Sequence, residues 1–189
     1  MPVLSATPPT PSPAAPHALV LRWPTEADTQ AFAQRLACLP PIRRATLTLH
    51  GDLGAGKTTL VRHLLRALGV PGRIKSPTYA VVEPHQALSP DGRQPPLDIW
   101  HFDFYRFDDP REWEDAGFRD LFASPGLKVV EWPEKAGNTL PTPDLSLHLS
   151  SAADDSRLAT LDAHTPLGRE CLAALAQPNL CSPDAQERP

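Results

Sequence analysis

Residues 51–58 read Gly51, Asp52, Leu53, Gly54, Ala55, Gly56, Lys57 and Thr58, which satisfies the spacing G-x-x-x-x-G-K-[ST] in full. The chemistry of that spacing is phosphate binding. Glycines let the backbone turn tightly and aim several N–H groups inward at phosphate oxygens. A helix opening at Lys57 adds the positive end of its dipole. Lys57 supplies a mobile ammonium to the β- and γ-phosphates and is expected to face solvent when no nucleotide is bound. The Thr58 hydroxyl is placed for Mg²⁺, and Gly54, Ala55, Gly56 and Thr59 complete the cradle. The expected ligands are ATP and Mg²⁺. The plain alternative is a glycine turn that matches by chance. Context weighs against it, because an apolar strand pattern precedes the loop and an amphipathic helix follows it.

A phosphate loop needs an acidic group near its metal, usually at the end of a neighbouring strand. Two carboxylates fit. Asp103 ends the apolar run Leu97, Asp98, Ile99, Trp100, His101, Phe102, and Glu131 ends Leu127, Lys128, Val129, Val130. Each reads equally well as a solvated strand end; beside a phosphate loop, at least one is expected to serve the metal or its attacking water. Asp103 and Lys57 are the candidate catalytic residues. Lys75, Ser76, Pro77, Thr78 and Tyr79 form a hydroxyl-rich, Pro-stiffened loop that either merely connects or senses the γ-phosphate as a switch. His101 reads as a structural strand histidine. Trp132 reads as core or as a ring at the nucleotide edge. Asp108, Asp109, Glu112, Glu114, Asp115 and Asp120 read as a solvated helix surface.

These groups must be held by elements that the rest of the pattern supplies. Residues 18–22 predict a short strand. Thr25, with Asp28 three residues on, predicts a capped helix reaching about Leu39. Residues 45–50 predict a buried strand, and residues 57–68 a helix with Leu60, Val61, Leu64, Leu65 and Leu68 on one face and Gly69 at its stop. Residues 78–83, 97–102 and 127–131 predict strands, with a Pro-rich hairpin tip over 84–96 and one or two short helices over 110–122. Residues 144–150 alternate, with Leu145, Leu147 and Leu149 on one side. Residues 157–163 are expected to do the same through Leu158 and Leu161, closing an antiparallel hairpin. A last helix spans about 167–176. The expected fold is α/β: a mixed, mostly parallel sheet of the P-loop type with helices on both faces and a C-terminal antiparallel hairpin.

Composition bounds the function classes. The 189 residues suit one domain with a sizeable core, and 41% hydrophobic with 21% charged residues is a globular balance. Three segments are expected: a disordered Pro-rich arm over 1–17, a domain over 18–176 and a flexible tail over 177–189. No apolar run approaches the roughly 20 residues of a membrane span, and residues 1–16 carry neither Lys nor Arg nor the apolar stretch of a secretory signal. Cys38, Cys171 and Cys181 form no C-x-x-C pair, so idle thiols in a cytoplasmic protein are expected. A net charge of −4 argues against a chain whose own task is gripping nucleic acid, despite the local run Arg62, Arg66, Arg73 and Lys75.

Four motifs occur in order: residues 51–59; Lys75 to Tyr79; His101, Phe102, Asp103, Phe104, Tyr105 and Arg106; and Val130, Glu131, Trp132 and Pro133. In these motifs the chain closely resembles the TsaE family, bacterial ATPases of tRNA threonylcarbamoyladenosine synthesis. The likeness covers about residues 19–176. It departs in a longer, more Pro-rich segment over 84–96 and in Phe104, where Leu is common. The resemblance implies an accessory ATPase working with TsaD and TsaB on adenosine 37 of tRNAs that read ANN codons, with tRNA met only through the complex. It makes Lys57 and Thr58 the phosphate and Mg²⁺ holders, Glu131 a metal ligand and Asp103 the other functional acid. Trp132 then matches a tryptophan near the nucleotide, and Thr25 falls in the stretch touching the base. Two other classes stay open: a P-loop small-molecule kinase, and a nucleotide-dependent binding module that hardly hydrolyses. The kinase would need an acceptor site and a basic lid.

Overall fold

A computed structural model describes residues 18–77, 79–88, 95–107, 109 and 117–177. The expected arm over 1–17, residues 178–189 of the expected tail, and Thr78, Asp108, Glu112, Glu114, Asp115 and Cys181 lie outside the described residues.

Seven strands form one sheet: β1 (Ala18–Trp23), β2 (Thr46–His50), β3 (Val82–Ala87), β4 (Leu97–Asp103), β5 (Leu127–Glu131), β6 (Leu145–Ser151) and β7 (Arg157–Ala163). Their order is β1-β7-β6-β2-β5-β4-β3. The four central strands β6, β2, β5 and β4 run parallel. The outer pairs β1·β7, β6·β7 and β3·β4 are antiparallel. The mixed sheet with a parallel centre and a C-terminal hairpin is the architecture expected from the sequence.

Period-two alternation sends side chains of each strand to opposite faces. On one face Leu47, Leu49, Ile99, Val129, Leu145, Leu147 and Leu161 make the main core with three helices. These are α1 (Glu26–Ala37), α2 (Lys57–Ala67) and the C-terminal helix (Pro166–Leu175). α2 buries Leu60, Val61, Leu64 and Leu65, the stripe read from its 3.6-residue period. On the other face Phe102, Phe104, Phe107, Phe118, Val130 and Ala136 form a smaller core under α3 (Phe118–Ala123) and a 3₁₀ segment, Pro133–Thr139. Phe104 is fully buried there among three phenylalanine rings. The C-terminal helix is α4 from here on. Its buried Cys171 has a thiol pushed up to about 11 by burial, which leaves it protonated and inert.

Three expectations are corrected. The strand placed over 78–83 begins at Val82 instead, because Val81 adopts a left-handed backbone (φ 66°) that ends the preceding turn. Pro84 and His85 therefore lie in β3 and not in a hairpin tip. β3 is an edge strand, where a residue without an N–H is tolerated. On β7, Ala159 and Leu161 point into the core and Leu158 is 42% exposed. Residues three apart cannot share one face of a strand.

Topology places the site. Because β6, β2, β5 and β4 are parallel, their carboxyl ends share one rim, and ligands of open α/β sheets bind outside that rim. Gly51 follows β2, Asp103 ends β4, Glu131 ends β5 and the 152–156 turn follows β6. The antiparallel outer strands bring Trp23 opposite Arg157, and the turn before Val82, to the same rim.

Candidate functional site

The phosphate loop is built by conformation as much as by composition. Gly51, Gly54 and Gly56 have φ of 129°, 83° and 106°, a region L-residues rarely enter. Gly51 has a second constraint, since a Cβ there would meet the Leu149 carbonyl oxygen at 2.1 Å. Ala55 N–H donates to Asp52 O at 3.1 Å and closes the turn. Gly56 caps α2, so the first amides of that helix open onto the loop.

Two clefts of about 150 and about 240 Å³ meet at Gly56 and Thr59. The larger is lined by Gly54, Lys57, Thr58, Ser76, Asp103, Glu131 and Trp132, among others. The smaller has Trp23, Thr25, Ala55, Asp155 and Arg157 in its wall. Asp103, Lys57, Gly54, Ala55, Gly56, Thr58, Thr59, Thr25, Trp132 and Glu131 each line one cleft or both; of the described residues of the loop 75–79, only Ser76 does.

In the larger cleft the two carboxylates stand side by side, because the parallel register pairs Asp103 with Glu131. Glu131 is 1% exposed. Its Oε2 accepts the Thr58 hydroxyl at 2.7 Å and its Oε1 accepts His101 Nε2 at 2.8 Å. Asp103, also buried, accepts the Ser76 hydroxyl at 2.9 Å and the Tyr105 N–H at 3.1 Å. Ser76 thereby ties the hydroxyl-rich loop to an acidic group of the site. Tyr79 of that loop is exposed, with the Arg106 guanidinium 4.2 Å from its ring.

Lys57 departs from expectation. It is 4% exposed and not solvent-facing. Its ammonium donates to Gly51 O at 2.5 Å and Asp52 O at 2.9 Å and lies 3.9 Å from the Trp132 ring centroid. Burial pushes its pKa down; the charges of Glu131, Glu134, Asp103 and Asp52 pull the other way. Trp132 can lie over the ammonium because its own backbone is left-handed (φ 57°) at the end of β5.

The donor set suits Mg²⁺. The Thr58 hydroxyl and the Glu131 carboxylate are hard oxygen donors already in contact, and Mg²⁺ is typically held by one or two carboxylates plus substrate phosphates. Among the described residues, no three His, Cys, Asp or Glu side chains converge into an all-protein metal cage.

In the smaller cleft Thr25 precedes α1, and its N–H and hydroxyl both donate to the Asp28 carboxylate at 2.8 Å, the capping box read from the sequence. Arg157 lies across the cleft, its Nε 3.8 Å from where a Cβ on Gly56 would project. Its Nη1 donates to Asp155 O at 2.7 Å. Sequence reasoning missed Arg157, because nothing in its spacing links it to a loop a hundred residues earlier. It also missed the bond from His101 to Glu131. There a signal existed: His101 and Asp103, two apart on one strand, must face the same way.

Comparison with known proteins bears on this geometry. The family model described as threonylcarbamoyl adenosine biosynthesis protein TsaE matches residues 23–159. The tRNA threonylcarbamoyladenosine biosynthesis protein TsaE of Haemophilus influenzae is 39% identical over 145 residues, 77% of this chain and 87% of that one. The Bacillus subtilis protein of the same name is 34% identical over 145 residues, covering 76% and 85%. The crystal structure of Bacillus subtilis YdiB superposes with a TM-score of 0.67 at 27% identity, covering 84% of this chain and 93% of that one.

Proposed function

The chain belongs to the TsaE family of tRNA threonylcarbamoyladenosine biosynthesis, and from that premise we propose that it is a Mg²⁺-dependent ATPase. It acts in the cytoplasm as an accessory subunit with TsaD and TsaB in threonylcarbamoylation of adenosine 37 of tRNAs reading ANN codons. It meets tRNA only through that complex. The observation that carries the ATPase reading is the pair Asp103 and Glu131, held in register beside the phosphate loop with Glu131 Oε2 already on Thr58.

The residues divide the work. Loop amides and the N-terminus of α2 bind the phosphates, and Lys57 adds its charge. Thr58 and Glu131 hold Mg²⁺, which when bound neutralises charge on the phosphate oxygens. Asp103, aligned by Ser76 and the Tyr105 amide, takes the proton of the attacking water. The water oxygen bonds to the γ-phosphorus as the bond to the bridging oxygen breaks, giving ADP and phosphate. Thr25 and Arg157 flank the cleft where the base and ribose lie.

P-loop hydrolysis is fast only when the transition-state charge is fully neutralised, and a supplementary arginine contributes on the order of 10³-fold or more. Arg106, which follows the strand that ends at Asp103, stands on the Tyr79 ring; Arg111, further along the same stretch of sequence, lies outside the described residues. The isolated chain should therefore release phosphate from ATP slowly and accelerate when TsaD and TsaB are added, with little response to tRNA alone. Turnover that is fast in isolation and indifferent to those partners would overturn the accessory reading. Phosphate recovered on an acceptor would favour a kinase, and none released with either would favour a binding module.

A further inference from the structure

His101 is fully buried, at 0% exposure, beneath a rim otherwise open to ligands. It sits on β4 between Ile99 and Asp103 on the face that meets α2. Its neighbours explain why a histidine there is more than filling. Glu131, at 1% exposure, is a buried carboxylate, and such a group needs a donor on each oxygen. Thr58 serves Oε2 and His101 serves Oε1, so the plane of the carboxylate is held from both sides. Among the described residues, His101 Nδ1 is one of two buried side-chain nitrogens without a hydrogen-bond partner; the other is His85 Nε2 on the neighbouring strand. The single bond that His101 makes is thus the one to Glu131, which fixes its proton on Nε2.

We propose that His101 is a positioning residue: by holding Oε1 of Glu131 it keeps Oε2 turned to Thr58 and so sets the affinity of the site for a divalent cation. This rests on the reading of Thr58 and Glu131 as Mg²⁺ ligands. Groups that orient a metal ligand typically change metal affinity by 10–100-fold when removed. An amide N–H reaching Oε1 would do the same work; an apolar side chain of similar volume would not.

The test uses Mn²⁺ as probe, its binding in the presence of ADP followed by electron paramagnetic resonance. The proteins are wild type, His101→Leu and His101→Gln. Leu keeps volume without a donor, and Gln keeps an N–H at the reach of Nε2. Expected are Mn²⁺ binding weakened about 10–100-fold in the Leu variant, recovery to near wild type in the Gln variant, and unchanged ADP binding in EDTA for both. If the Leu variant does not fold, His101→Asn, whose amide is too short to reach Oε1, takes its place with the same expected loss. A Leu or Asn variant that holds Mn²⁺ as tightly as wild type would overturn the proposal, as would a Gln variant no better than either. Wild type without ADP-dependent Mn²⁺ binding would instead sink the metal reading beneath it.

Discussion

On the Glu131 side of Gly56 the acidic groups are buried and held from several directions, whereas on the Thr25 side acidic groups stand in solvent. Glu131 and Asp103 are 1% and 4% exposed, with bonds to a strand histidine, a helix threonine and a loop serine. Across the junction the Glu26 side chain is 72% exposed, and the 152–156 turn is pinned by a surface pair, Arg22 with Asp154, each side chain 57% exposed. Surface pairs of that kind contribute little to stability. Chemistry on developing charge needs dipoles fixed before the reaction, while recognition of a base tolerates adjustment. The two sides should therefore fail differently: turnover on one, affinity on the other.

The largest break should come from Lys57→Ala. Its ammonium touches the loop's own carbonyls, and losing it should lower turnover by on the order of 10²–10³-fold. The chain should still fold, with a melting temperature lowered because the Gly51 and Asp52 carbonyls lose their donor. A folded variant with wild-type phosphate release would end the comparison at once.

Next come Glu131→Gln and Asp103→Asn. Each keeps the shape of its side chain and removes its charge. Turnover should fall about 10²-fold or more, while ADP affinity measured in EDTA by calorimetry stays put, because the backbone amides remain. Equal losses in affinity and turnover would mean that the two sides are not functionally distinct.

Arg157→Ala sharpens the other half. The Michaelis constant for ATP should rise about tenfold, equivalent to about 1.4 kcal/mol, with the maximal rate unchanged. A fall in maximal rate without that rise would place Arg157 with the chemistry.

The smallest effect concerns a region apart from both clefts. His148 is held below the ordinary histidine range by partial burial and by His50, stacked 4.4 Å away, with His164 adding to this and Asp162 and Glu134 opposing it. The unfolded chain, whose histidines titrate near about 6.5, takes up that proton first. Stability contributed here is fully present above that pH and is lost as pH falls through it. His148→Gln should flatten the acid limb of a melting-temperature profile while leaving the neutral plateau and ATP turnover unchanged. An unaltered acid limb would remove His148 from the account.

Local signals were legible in the sequence wherever one element carried them. The strand–loop–helix from Thr46 to Ala67, the strand Leu127–Glu131 and the capping box at Thr25 all stand where their patterns put them. Neighbouring strand ends also placed Asp103 and Glu131 in one cleft. What escaped was decided across space. Period two says that His101 faces α2, but not that a carboxylate on the adjacent strand waits there. Lys57 was expected in solvent because it stands in an open loop; the Trp132 ring that covers it arrives from another strand. Pro84 was read into a hairpin tip because residues 84–96 are rich in proline, and only the sheet order shows that β3 lies at an edge, where proline is tolerated.

Gly51 carries a consequence for how this chain can drift under mutation. Its φ of 129° bars ordinary side chains, and the Leu149 carbonyl occupies the space where one would begin. Relaxing either restriction alone opens no route, so no single-step neighbour of this sequence can exchange that glycine without loss. Escape would require the β6 backbone to retreat together with the loop, two changes that are each unfit alone. The first position of the phosphate loop and the hairpin strand beside it are therefore inherited as one unit, though nearly a hundred residues separate them in the chain.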